Sequence, residues 1–290
     1  MNGPLDKIKG YINDVAYNVK KVLSLNHSLD NIIESEYKKA FESLDKYGII
    51  EYIKRKYKIN YKKPELEILE DQPSITAAYS PNKNKIIFSK KSIERMIDSQ
   101  SLNIPYNSIF LYPLYINEKN ERKMRKAIAE SIIRSAMFHE IWHSIDYSIL
   151  HKLDKDSTIK DRDYLLTILN NRDNRELRAT AFEVVMYYLD LVNNLHKHKK
   201  GYITAYFNIP ICRNYIEKIA KLEKDEDMNK YVSHDLGFCY GNVIVAANKS
   251  SLKENIYNII EDIVHLNKER AIDVIRRYVY NLDRLSHDWI

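Results

Sequence analysis

Glycine is scarce in this chain, with 6 residues in 290 against 23 tyrosines. So few positions free for tight turns argue against a turn-rich all-β fold and leave helices as the main element. Cysteine is scarcer still, with only Cys212 and Cys239. Two thiols make no disulfide framework, and neither stands in a CxxC metal-site spacing, so a reducing compartment is expected. No run approaches the roughly 20 apolar residues that span a bilayer. The N-terminal Met1-Asn2-Gly3-Pro4-Leu5-Asp6-Lys7 lacks the basic-then-apolar pattern of a secretory signal. The expectation is a soluble, cytoplasmic protein with no membrane insertion. A strong charge of one sign is also missing: 46 basic and 40 acidic residues leave a net charge of +6. The most basic run, His196-Lys197-His198-Lys199-Lys200, falls at an expected helix end, where cations suit the dipole. Nucleic acid is therefore not an expected partner.

What is present is helical periodicity interrupted once. Ser28 is an expected cap, and Tyr37, Ala40, Phe41, Leu44 and Tyr47 recur at helical spacing. From Pro64 the period changes. Leu66 and Ile68 suggest a short strand. Ile75–Ser80 and Lys85–Ser89 flank the turn cluster Pro81-Asn82-Lys83-Asn84, which is a hairpin signal. Ile109–Tyr112 is a further strand candidate. After Glu121 the pattern is helical: Glu121 to Leu150, a charged linker from Asp154 to Asp163, then Asn174 towards Asn193. Later helices are expected at about 211–225, 230–248 and 252–284. The fold class is α+β, predominantly helical. The expected organisation is an N-terminal helical segment (1–60), a core (61–197) and a C-terminal helical segment packed on that core (198–290).

The chemistry concentrates in Phe138-His139-Glu140-Ile141-Trp142-His143-Ser144-Ile145-Asp146. This is HExxH on a predicted helix, and histidines four apart lie on one face, so both imidazoles can point at one metal ion. Neutral imidazole suits zinc. Glu140, beside them, is placed to act as general base towards water. The flanking Ile132, Ile133, Met137, Ile141, Trp142, Ile145 and Ile149 mark the helix as buried. Two histidines and a glutamate on a buried helix need partners, and a metal is one. The pattern HExxHxxGxxH is excluded, because Asp146 and Ile149 stand at its glycine and third-histidine positions. A glutamate from a following helix is the alternative third ligand. In Glu176-Leu177-Arg178-Ala179-Thr180-Ala181-Phe182-Glu183, the residues Glu176, Ala179 and Glu183 share a face, and Ala179 lets two helices approach closely. Either glutamate is a candidate.

These two motifs resemble the gluzincin metallopeptidases, and most closely the catalytic domain of anthrax-toxin lethal factor and its relatives. Ile145-Asp146 after the HExxH, and Glu176, Ala179, Ala181 and Phe182 as ExxAxAF, match that family position by position. The resemblance implies a zincin-like core with a small sheet or hairpin packed on the HExxH helix. It implies His139, His143 and Glu176 as ligands of one Zn²⁺ per chain, in preference to Glu183, which helical spacing leaves as the alternative third ligand. It also implies an edge strand that binds a peptide or protein substrate in extended form. The family's oxyanion-stabilising tyrosine has no counterpart, since Leu169 stands near its place.

Candidates for the remaining roles are Asp146, as partner of a ligand histidine or of a nearby Arg or Lys, and His234 and Tyr240 as donors to a developing oxyanion. Gly237 and Gly241 beside them suggest a helix packed closely on another element. Tyr147 and Tyr187 are further donor candidates. The expected function is a zinc-dependent endopeptidase; the alternative is a catalytically inactive zincin-fold interaction or regulatory module.

Overall fold

The computed structural model describes residues 29–72, 75–102, 121–158, 161–194, 233–248 and 251–287. The chain is α+β and predominantly helical, with one small three-stranded sheet among the described residues. In order, the elements are α1 (residues 29–46), α2 (Ile49–Tyr57), β1 (Glu65–Leu69), β2 (Ala77–Ser80), β3 (Lys85–Ser89) and α3 (Lys90–Leu102). There follow α4 (Glu121–Lys155), α5 (Arg162–Asn170), α6 (Arg172–Asn194), α7 (Ser233–Ala247), α8 (Ile256–Val264) and α9 (Lys268–His287). No helix among the described residues is long and apolar enough to cross a membrane. Ser28, the strand expected at 109–112, the basic run at 196–200, Cys212 and the helix expected near 211–225 lie outside the described residues.

The hairpin forms where its turn cluster stands. Asn84 takes the left-handed conformation (φ 49°), which asparagine tolerates better than most residues. β2 and β3 pair antiparallel, with Ala77 opposite Phe88 and Tyr79 opposite Ile86. β1 joins the other side of β3 in parallel, giving the order β1-β3-β2 and leaving β2 as an edge among the described residues. Ser89 N–H donates to Thr76 O at 3.1 Å, so bonded pairs recur at every second residue of the hairpin. The backbone polar groups of Ala77 and Tyr79 therefore point away from β3. Ile86 and Phe88 are fully buried, and β2 and β3 both lie against α4.

α4 is the central helix. Ile133, Met137, Phe138, Ile141, Trp142, Ile145, Ile149 and Leu153 are all fully buried, so it is apolar on most sides, as its sequence indicates. α6 runs against it, and α7 packs on α6. The α6–α7 approach depends on two glycines one turn apart. A Cβ at Gly237 would overlap Leu177 O, and one at Gly241 would stand 2.7 Å from Val184 Cβ. The α4–α6 contact carries a buried ion pair, in which Arg178 Nη2 donates to Asp146 Oδ2 at 2.8 Å. Arg178 also donates to Ile168 O at the end of α5 and to Leu266 O before α9.

The structure departs from the sequence reading in three places. Residues 90–102, assigned no element, form α3. The stretch 162–170, also assigned no helix, forms α5, with Leu165, Ile168 and Leu169 turned into the core. The single helix expected over 252–284 is broken at residues 265–267. There Asn267 Oδ1 accepts from Arg270 N–H at 2.8 Å and caps a new helix. Periodicity ran across both sides of that break, and the cap was the signal that it hid.

Gly237→Ala is expected to lower the unfolding free energy by about 2 kcal/mol, read as a shift of the denaturant midpoint at unchanged m-value. No shift would mean that α7 does not pack this closely on α6.

Candidate metal centre

α4 presents His139 and His143 on one face, with ring centroids 4.8 Å apart. α6 brings Glu176 to meet them. Its Oε2 lies 3.1 Å from His139 Nε2 and 3.4 Å from His143 Nε2. One ligand atom from each of the three residues lies within 4.8 Å of the others. Two imidazole nitrogens and a carboxylate oxygen converging this way form a group that can hold a metal ion. The histidine side chains are 11% and 12% exposed and Glu176 26%, so the open side of the cluster is that of α6.

Glu183, the alternative ligand, stands behind the cluster instead. Its Oε2 is 3.1 Å from His139 Nδ1, the nitrogen facing away from Glu176, and its Oε1 accepts from the Ser135 hydroxyl. A carboxylate on the rear nitrogen of a ligand histidine fixes the ring's orientation and tautomer. Burial alone would disfavour charge on His139. The hydrogen bonds that its ring nitrogens donate to Glu176 and Glu183, with the negative charge around them, outweigh it and raise its pKa to about 10. Burial likewise works to raise the Glu176 carboxyl, yet hydrogen bonds from His139 and His143 hold it well below the usual carboxylate range.

Glu140 lies beside this cluster, on the side of the sheet. The Tyr79 amide, on the free edge of β2, donates to its Oε2 at 2.7 Å. Nothing in the sequence pointed to Tyr79 as the anchor of Glu140, because it is a backbone contact across 61 residues. His234 does reach the centre. Its ring stacks on His139 at 5.4 Å, its Nδ1 is 3.0 Å from the Thr180 hydroxyl, and its Nε2 is 3.5 Å from Glu176 Oε2. With 53% of the side chain exposed, it borders the open side. Burial and the charge of His139 lower its pKa.

The other candidates stand elsewhere. Asp146 pairs with Arg178 rather than with a ligand histidine. Tyr240 is 1% exposed, with its pKa raised by burial and then by the charge of Asp262. Tyr187 is hydrogen-bonded to Ser131, two turns before His139. The sequence reading gave no role to Arg178, although a buried arginine implies a buried acid nearby.

Because the raised pKa keeps His139 protonated through neutral pH, a metal ion has to displace that proton. Apparent affinity should therefore rise with pH towards about 10. Calorimetric titration with zinc near neutral pH, in buffers of different ionisation enthalpy, is expected to report release of about one proton. Release of none would mean that His139 is already neutral before the ion binds. In the same titration, Glu183→Gln should weaken binding by roughly 10- to 100-fold.

No family model, curated protein or solved structure matches this chain.

Proposed function

We propose that the chain is a zinc-dependent peptidase of the gluzincin type. The observation that carries this reading is the convergence of His139, His143 and Glu176 from two helices, with Glu140 next to them. The residues fit the ion: two imidazoles and one carboxylate suit zinc and leave a coordination position open. When bound, zinc supplies Lewis acidity, polarising a carbonyl and acidifying water.

The chain's own groups account for the rest of the reaction. Glu140 takes a proton from the water whose oxygen attacks the peptide carbonyl carbon. As the C–N bond breaks, it passes that proton to the departing amine. The Tyr79 N–H holds the carboxylate beside the free edge of β2. The outward N–H and C=O of Ala77 and the outward C=O of Tyr79 have no strand partner among the described residues and can pair with an extended peptide, which would lay its backbone across Glu140. His234 supplies the donor that the family tyrosine would have supplied. In the tautomer where Nδ1 accepts from the Thr180 hydroxyl, 3.0 Å away, the proton sits on Nε2, on the open side beside Glu176, where it can reach a developing oxyanion.

Glu140→Gln is expected to abolish cleavage of a peptide library while retaining one zinc per chain. His234→Ala should lower kcat by roughly 100- to 1,000-fold with little change in KM. Zinc bound by the wild type without cleavage of any library member would sink the peptidase reading. It would favour the non-catalytic interaction module in its place.

A further inference from the structure

Beside the catalytic residues stands a row of side chains that the reaction does not use. Tyr147 lies one turn beyond His143 on the same face of α4. Its ring meets Tyr79 of β2, with centroids 5.8 Å apart, and carries Arg175 of α6, with Cζ 5.2 Å from the ring centre. Tyr79 is the residue whose amide holds Glu140, and Arg175 immediately precedes Glu176 in sequence. The row Tyr79, Tyr147, Arg175 thus runs from the edge strand to the helix that carries Glu176. All three residues are half-buried.

Arg175 differs from the other arginines near the fold's centre. Arg178 and Arg134 have carboxylate partners, Asp146 and Glu36 respectively. Arg175 donates once, from Nη1 to Leu169 O at 3.2 Å. A guanidinium has five N–H donors, and no carboxylate meets this one among the described residues. The Tyr147 hydroxyl has no hydrogen-bond partner among them either. A guanidinium stacked on a ring, held by one carbonyl and with donors to spare, is preset to bind a carboxylate.

We propose that Arg175 binds a carboxylate of the substrate close to the scissile bond, with the Tyr79–Tyr147 pair packing the chain that carries it. The inference rests on the peptidase reading for the position of the bond, but the receptor itself exists without turnover. The carboxylate belongs either to an aspartate or glutamate side chain or to a free C-terminus.

Zinc-loaded Glu140→Gln protein separates these cases by anisotropy of dye-labelled peptides. The set is one with a central glutamate and amidated end, its glutamine counterpart with an amidated end, the glutamine peptide with a free C-terminus, and a lysine counterpart with an amidated end. At least one carboxylate peptide is expected to bind about tenfold tighter than the amidated glutamine peptide. Which of the two does so identifies the source. Adding Arg175→Gln should erase that preference, and Arg175→Glu should reverse it in favour of the lysine peptide, a gain that misfolding does not produce. Equal affinity for all four peptides, or a preference that survives Arg175→Gln, would overturn the proposal. Preference in the Glu140→Gln protein, with no cleavage of any peptide by the wild type, would sink the peptidase reading and keep the carboxylate receptor.

Discussion

Asp146 and Arg178 face each other with no solvent exposure on either side chain, three residues past His143 on one helix and two past Glu176 on the other. Breaking such a pair strands a charge in the core and costs about 3–5 kcal/mol. The geometry of two-point donation therefore allows one sliding register between α4 and α6. That register is what brings the Glu176 carboxylate to both Nε2 atoms. The same guanidinium also reaches the carbonyls of Ile168 and Leu266, so the end of α5 and the break before α9 are tied to the same point. The apolar face of α4 brings the helices together, and the ion pair sets how far along each other they lie.

Around that register the centre is built from alternating charge. Glu176 and Glu183 approach His139 from opposite sides of its ring, and Ser135 holds the rear carboxylate in turn. Three carboxylates, those of Glu140, Glu176 and Glu183, gather near two imidazoles. Such a concentration of negative charge is relieved by protons or by a cation, which is why the His139 pKa is high. The hairpin contributes through its backbone, since an edge strand has amides to spare and the Tyr79 amide goes to Glu140. α7 closes the arrangement from the other side of α6. Without the close contact at Gly237 and Gly241, His234 would stand farther from Glu176.

Much of this was legible in the chain. Helical periodicity and scarce glycine announced the α+β class. The Pro81–Asn84 cluster announced the hairpin, and the apolar surround of HExxH announced a buried helix. The pairing of His139 with His143 follows from the 3.6-residue turn, and the two glycines of α7 marked a close packing partner. α3, α5 and the break at Asn267 were not legible: α3 and α5 are short, with few turns to set a period, and the break, inside continuous helical periodicity, is carried by a single cap.

The sequence by itself determined which groups face the same way on one helix, because local geometry repeats without reference to the rest of the chain. It therefore placed His139 beside His143, and Glu176 on a face with Glu183. Only the tertiary structure decided between those glutamates, putting Glu176 in front of His139 and Glu183 behind it. It also decided that Asp146 serves Arg178, that Tyr79 serves Glu140, that His234 joins the cluster and that Tyr240 does not. Each of these depends on how elements far apart in the chain are turned and slid against one another. That is set by the summed packing of the core and by one buried ion pair, not by spacing along any single helix.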